Sequence, residues 1–175
     1  MPCLNEGETL ASCIERARVG IERAGVLGEI LVADTGSRDN SVLIAEKLEG
    51  ARCPCEEKGT ATRCGAEFKP HPEDGSFMGE ADESYDFSEM DRFVKKFQEG
   101  FELVIGCRLP KGGGRVMPGA MPFSHRWLAN PLFSQMARHM FSAPIHDVNC
   151  GLRGFTRELY DRCNFNAKEW NSPRK

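Results

Sequence analysis

Glu29-Ile30-Leu31-Val32-Ala33-Asp34-Thr35-Gly36-Ser37-Arg38-Asp39 is a short aliphatic run that breaks off into acidic, hydroxyl and glycine residues. An apolar run without alternation is what a strand covered on both faces requires, and such strands belong to sheets with helices on both sides. Upstream, Leu10, Ile14, Ala17, Ile21 and Ala24 recur at spacings of four and three, which places them on one stripe of a helix. Gly25 suits the end of that helix, and Asn5-Glu6-Gly7-Glu8 has the spacing of a capping box at its start. Downstream, residues 40–49 read as a second helix closed by Gly50, and Ala51 to Cys55 as a short strand. Strands and helices alternate, so the expected class is α/β. Polar residues at the carboxyl end of a strand in such a sheet mark the place where ligands gather.

The same logic applies to Phe77-Met78-Gly79-Glu80-Ala81-Asp82-Glu83-Ser84-Tyr85-Asp86-Phe87. With Ser76 to Met78 as the end of a strand, Glu80 and Asp82 leave it at an i, i+2 spacing, and both side chains are expected on one side. Two carboxylates on one side can hold one divalent ion. Hard oxygen ligands suit Mg²⁺ or Mn²⁺, whose remaining positions are filled by substrate phosphate oxygens and water. A diphosphate substrate is one reading of this cluster, and a solvated acidic turn is the other.

Between these two stretches, Glu56 to Asp74 has no periodicity and reads as a loop. After the acidic cluster a helix is expected with Met90, Phe93, Val94 and Phe97 inward and Gly100 at its end. Phe101 to Ile105 reads as a strand ending at Gly106-Cys107-Arg108, followed by the glycine-rich basic loop Lys111 to Arg115 and a proline-bounded loop, Met117 to Pro122. A helix over about Ser124 to Met140 carries Trp127, Leu128, Leu132 and Met136. Ile145-His146-Asp147 then leads through Cys150 to Phe155 into a last helix capped by Thr156.

The 175 residues, 40% hydrophobic and 28% charged, are consistent with one domain over residues 1–175. A net charge of -3 offers no general attraction to nucleic acid, which is therefore not an expected partner. No apolar run approaches the roughly 20 residues of a membrane helix and no signal segment is evident, so a cytoplasmic location without a transmembrane segment is expected. The eight cysteines form no C-x-x-C pair, and reduced thiols acting as small buried hydrophobes are the preferred reading.

Taken in order, Pro2-Cys3-Leu4-Asn5-Glu6, Ala33 to Ser41, Gly79-Glu80-Ala81-Asp82, Ile105-Gly106-Cys107-Arg108, and Asp147 with Gly151-Leu152-Arg153 resemble the motifs of family 2 glycosyltransferases over nearly the whole chain. Tyr85-Asp86-Phe87 and Met117 to Pro122 make it most similar to the bacterial polyprenyl-phosphate sugar transferases related to dolichol-phosphate mannosyltransferase. The resemblance implies a GT-A-like (Rossmann-like), mostly parallel sheet flanked by helices. With only Met1 to Leu4 before the first helix and a last residue at Lys175, the domain is expected to be truncated at both ends.

It also implies roles. Residues matching Pro2, Asn5, Glu6, Asp34, Gly36, Ser37 and Gly59 belong to the side that holds a UDP- or GDP-linked sugar, and Arg108 matches a basic residue near the phosphates. Glu80 and Asp82 match the metal-binding D-x-D element for Mg²⁺ or Mn²⁺, with Glu80 standing where the pattern has aspartate. Asp147 and Arg153, together with Asp82, form the implied catalytic set, on the side of a lipid-phosphate acceptor at the inner face of a membrane. The implied reaction is hexosyl transfer to a polyprenyl phosphate with metal-assisted departure of the nucleoside diphosphate and inversion at the anomeric carbon. A non-catalytic nucleotide-sugar-binding or interaction domain is the second reading, and a nucleotidyltransferase the third. Neither the oligomeric state nor the particular sugar follows from these residues.

Overall fold

The computed structural model describes residues 1–48, 51–54, 75–109 and 130–163. The expectations placed on Gly59, on the loop from Glu56 to Asp74, on Lys111 to Arg115, on Met117 to Pro122, and on Trp127 and Leu128 lie outside them.

Six strands and five α-helices are assigned among the described residues: β1 (Pro2–Cys3), α1 (Leu10–Ala24), β2 (Leu31–Asp34), α2 (Ser41–Lys47), β3 (Ala51–Pro54), β4 (Gly75–Met78), α3 (Met90–Gln98), β5 (Leu103–Ile105), α4 (Asn130–Phe141), β6 (Arg153–Thr156) and α5 (Arg157–Cys163). A single 3-10 turn, Phe87–Glu89, leads into α3. The α/β class is as expected. The parallel pairing is confined to β1-β2-β3, whereas β4-β6-β5 form a second sheet in which β6 runs antiparallel to both neighbours. The sequence reading assigned no strand to Arg153–Thr156, because Arg-Gly-Phe-Thr shows neither alternation nor an aliphatic run.

α1 matches its stripe: Leu10, Ile14 and Ala17 are buried, and Gly25 closes the helix in the left-handed conformation at φ 66°. Its start differs from the expected capping box. The helix begins after Thr9, and Asn5 lies outside it at φ 58°. Asn5 is bonded instead to a neighbouring loop, so its side chain serves a tertiary contact where a local cap was expected.

Two apolar clusters hold the layers together. Cys3, Leu10, Ile14, Val32, Ala45 and Ala81 pack between β1, β2 and the helices α1 and α2. Cys13, Ala17, Tyr85, Phe87, Met90, Phe93, Cys150 and Leu152 join α1 to α3 and to the second sheet's loops. Full burial of a side chain such as Leu10 or Ile14 contributes about 1.5–3 kcal/mol. Gly20, buried in the middle of α1, permits the close crossing of Phe87: a Cβ there would lie 2.2 Å from the Phe87 carbonyl oxygen.

Val94 and Phe97 were expected inward with Met90 and Phe93, and the latter two are buried. Phe97 meets Phe77 at 5.5 Å between ring centroids. By contrast α4 exposes Leu132, Phe133, Met136, Met140 and Phe141, and its buried residue among those described is Ser134. No described helix is long and apolar enough to cross a membrane.

Candidate active site

The residues expected on the donor side come together because β1 and β2 are parallel neighbours, with Pro2 opposite Ala33 and Cys3 opposite Asp34. Their following loops therefore leave side by side. Thr35 N–H donates to the Cys3 carbonyl at 3.0 Å, and from there the two loops are laced by side chains. Asn5 N–H donates to Ser37 Oγ at 2.9 Å, and Arg38 N–H to Asn5 Oδ1 at 2.8 Å. Glu6 N–H donates to Ser41 Oγ at 3.0 Å, and Gly7 N–H to Asp39 Oδ2 at 2.8 Å.

Asp39 completes this network by accepting the Ser41 amide (3.0 Å) and hydroxyl (2.6 Å) on Oδ1. The Ser41 hydroxyl, then its amide, hold the Asp39 carboxyl below the ordinary carboxylate value. Neither Asp39 nor Ser41 was among the expected site residues. The Asp-x-Ser spacing just before α2, typical of an Asx-type turn, is the signal that could have found them.

Asp34 is 6% exposed, and its carboxylate faces its own loop: Oδ2 accepts Gly36 N–H at 3.3 Å and Oδ1 accepts Ser37 N–H at 3.2 Å. Gly36 is at φ 97°, a conformation favoured for glycine. Asn5, Glu6, Asp34, Gly36 and Ser37 thus form one constellation, with Pro2 in the strand beneath it.

The acidic loop differs from its expected geometry. β4 ends at Met78, and residues 81–85 form a run of bends with Glu83 at φ 59°, so strand alternation does not set the directions of Glu80 and Asp82. Both residues are exposed. Asp82 Oδ1 accepts Ser84 N–H at 2.9 Å and Oδ2 accepts Ser84 Oγ–H at 2.8 Å, which fixes the carboxylate and leaves lone pairs for a cation. Thr9 Oγ1 donates to the Ala81 carbonyl at 2.7 Å, tying this loop to the start of α1. No cluster of three or more metal-ligating side chains occurs among the described residues.

On the far side Arg108, Asp147 and Arg153 meet. Arg108 follows β5, and Arg153 opens β6 in register with Met78 of β4 and Ile105 of β5. An antiparallel strand begins where its neighbours end, so Arg153 shares an edge with Arg108 and the acidic loop. A mostly parallel sheet is what the sequence leads one to expect here. The antiparallel course of β6 produces the shared edge.

Asp147, whose side chain is fully buried, receives Arg108 Nε at 2.9 Å, the Arg108 terminal nitrogen at 3.1 Å and the Arg108 amide at 3.1 Å. Burial opposes the Arg108 charge, and the hydrogen bonds and charge of Asp147 outweigh it, holding the guanidinium above its ordinary value. Arg153 donates to the carbonyls of Cys150 (3.0 Å) and Val148 (3.3 Å), bracing the same loop from within. Cys150 is buried beside this group, and burial pushes its thiol up to about 11, which keeps it protonated and inert. Cys3, Cys13, Cys107, Cys150 and Cys163 are free thiols; Cys3, Cys13 and Cys150 are buried as expected, whereas Cys107 is half-buried and Cys163 exposed.

No protein-family model matches the chain. The chain is 30% identical, over 98% of its length, to the low-salt glycan biosynthesis hexosyltransferase Agl6 of Haloferax volcanii, of which it covers 41%. It is 26% identical, over 75% of its length, to the dolichyl-phosphate hexose transferase of the same organism, covering 54%. Among solved structures, the glucosyl-3-phosphoglycerate synthase of Mycobacterium tuberculosis, in complex with Mn²⁺, UDP-glucose and phosphoglyceric acid, superposes with a TM-score of 0.58. That match is 18% identical over 90% of this chain and 55% of the other. The fold is the GT-A fold, and the resemblance is to glycosyltransferases. The chain spans about two fifths to just over half the length of the relatives named here.

Proposed function

We propose that this GT-A domain moves a hexose from a nucleoside-diphosphate sugar to a polyprenyl phosphate. The observation that carries the reading is that the acidic loop joins two groups, tied by the Thr9 hydroxyl to the helix start beside the laced loops and leaving β4 where Arg153 opens β6 next to Arg108. The acceptor is argued from the curated relatives, one of which is named a dolichyl-phosphate hexose transferase.

Asn5, Glu6, Asp34, Gly36 and Ser37 would hold the base and ribose. Asp34 and Ser37 act in part by fixing the loop's amides, since these two are bonded to each other. Glu80 and Asp82 are two exposed carboxylates beside a diphosphate position, which fits an Mg²⁺ or Mn²⁺ ion that completes its shell with phosphate oxygens and water. When bound, the ion supplies positive charge against the charge developing on the leaving diphosphate. Arg108, on the acceptor side of the acidic loop, adds a fixed cationic group between those phosphates and the acceptor phosphate.

The acceptor phosphate oxygen attacks the anomeric carbon as the carbon–oxygen bond to the diphosphate breaks, its electron pair leaving with the diphosphate. A phosphate nucleophile is already ionised and needs no strong base. Asp147, buried and held by three donors from Arg108, accordingly orients Arg108 and takes no proton. Donor binding without turnover is the second reading, favoured by Glu80, whose extra methylene lengthens the first arm of the D-x-D element.

The test is titration of the chain with UDP- and GDP-sugars with and without Mn²⁺, followed by product formation on a short-chain polyprenyl phosphate. Asp82→Ala is expected to abolish Mn²⁺-dependent donor binding while circular dichroism stays unchanged, because Asp82 lies on an exposed loop. Donor binding of equal strength in EDTA would remove the metal role of Glu80 and Asp82. Binding without product would establish the second reading, and pyrophosphate release from a nucleoside triphosphate the nucleotidyltransferase.

A further inference from the structure

The loop bearing Glu80 and Asp82 is held at two points, and the second of them has no place in the reaction described above. At the first, the Ala81 carbonyl accepts Thr9 Oγ1 on the donor side. At the second, Tyr85 leaves the loop and inserts into the acceptor side. It is 7% exposed, and its hydroxyl oxygen accepts Gly151 N–H at 2.9 Å. The Arg108 guanidinium carbon lies 6.0 Å from the centroid of its ring. The fit is close, because a Cβ on Gly151 would lie 2.6 Å from the Tyr85 hydroxyl oxygen.

One phenol therefore touches both parts of the acceptor group, the guanidinium clamped by Asp147 and the turn that leads into Arg153. It does so three positions after Asp82 in the same loop. A buried hydroxyl needs a hydrogen-bond partner, as does a buried amide, and each answers the other here. Phenylalanine would fill the same apolar space against Leu152 and Cys150 but would leave the Gly151 amide without this acceptor.

We propose that Tyr85 is a positioning residue that sets the acidic loop against Arg108 and the 147–153 turn, so that occupancy of the donor side is communicated to the acceptor side. The inference rests on the donor and acceptor assignment made above. A displacement of the acidic loop on donor binding reaches the acceptor group through this contact, and the reverse holds by linkage.

The experiment uses the whole chain and measures four affinities: Mn²⁺ with UDP- or GDP-sugar alone, a short-chain polyprenyl phosphate alone, and each in the presence of the other. In Tyr85→Phe each ligand alone is expected to bind within about twofold of the unaltered chain, while the mutual enhancement falls about tenfold and transfer falls with it. Gly151→Ala, which sets a Cβ against the hydroxyl, is expected to lose more. The double variant Tyr85→Phe, Gly151→Ala is expected to recover most of the way to the level of Tyr85→Phe, since the colliding oxygen is gone and the ring Cζ, 3.2 Å from the new Cβ, has only to give by a few tenths of an ångström. A merely structural tyrosine would instead lower the melting temperature and both separate affinities together in Tyr85→Phe, leaving the mutual enhancement unchanged. That result, or unchanged enhancement and transfer in Tyr85→Phe, overturns the proposal. Failure of the donor and acceptor assignment is distinct, because it would show in the unaltered chain as absence of binding by one or both ligands, and the proposal would fall with it.

Discussion

The two sides of the candidate site, proposed above as donor side and acceptor side, are built from different bonds. On the donor side, backbone amides of one loop donate to short oxygen-bearing side chains of the other, with Ser37, Asp39 and Ser41 receiving Asn5, Gly7 and Glu6. On the acceptor side, a long cationic side chain grips a fully buried carboxylate. The first arrangement is many modest bonds near solvent, and losing one leaves the others in place. The second concentrates its bonding in one ion pair, where removal of the guanidinium takes two donors at once from a buried carboxylate.

The sharpest way to break this contrast is Arg108→Ala. It is expected to cost about 3 kcal/mol of folding stability, because the fully buried Asp147 would lose the two guanidinium donors it now accepts, Nε and a terminal nitrogen, and keep the residue 108 amide. Chemical denaturation measures the loss, and a cost under about 1 kcal/mol would mean the pair behaves like a surface ion pair. On the donor side Ser41→Ala removes one acceptor and one donor from a network of several. It is expected to cost about 1–2 kcal/mol and to weaken nucleotide-sugar binding more than it weakens any acceptor binding.

The smallest expected effect concerns pH. Asp39 has a depressed folded value, so its contribution is present above the unfolded value and is lost as pH falls through the folded one. The melting-temperature difference between the unaltered chain and Asp39→Asn should be constant above about pH 5 and shrink below it. A difference that grew on acidification would reverse the sign assigned to Asp39.

The same contrast explains what the sequence disclosed. α1 and β2 were legible because each carries its own period, the four-and-three stripe from Leu10 to Ala24 and the unbroken run into Asp34. Asn5, Glu6, Asp34 and Ser37 could be grouped only through the resemblance to family 2 glycosyltransferase motifs, and the parallel pairing of β1 with β2 is what brings their loops together. β6 was not legible, since Arg153-Gly154-Phe155-Thr156 becomes a strand only by filling the gap between β4 and β5. Tyr85 gave no local sign of its partner, which lies 66 residues further along the chain. Asn5 misled because an asparagine before a helix suggests a cap, and a contact 33 residues away claims its side chain.

Gly20 has a consequence for anyone wishing to toughen this domain. Replacing a glycine within a helix by alanine is a routine stabilising substitution, worth about 1 kcal/mol where the new methyl meets open space. In α1 it would place a carbon 2.2 Å from the Phe87 carbonyl oxygen. The helix or the Phe87 turn would have to retreat, and Phe87 lies just past the acidic loop, two residues after Tyr85. The routine stabilising substitution would here push against the turn that follows the acidic loop, and engineering for heat resistance should leave this position as glycine.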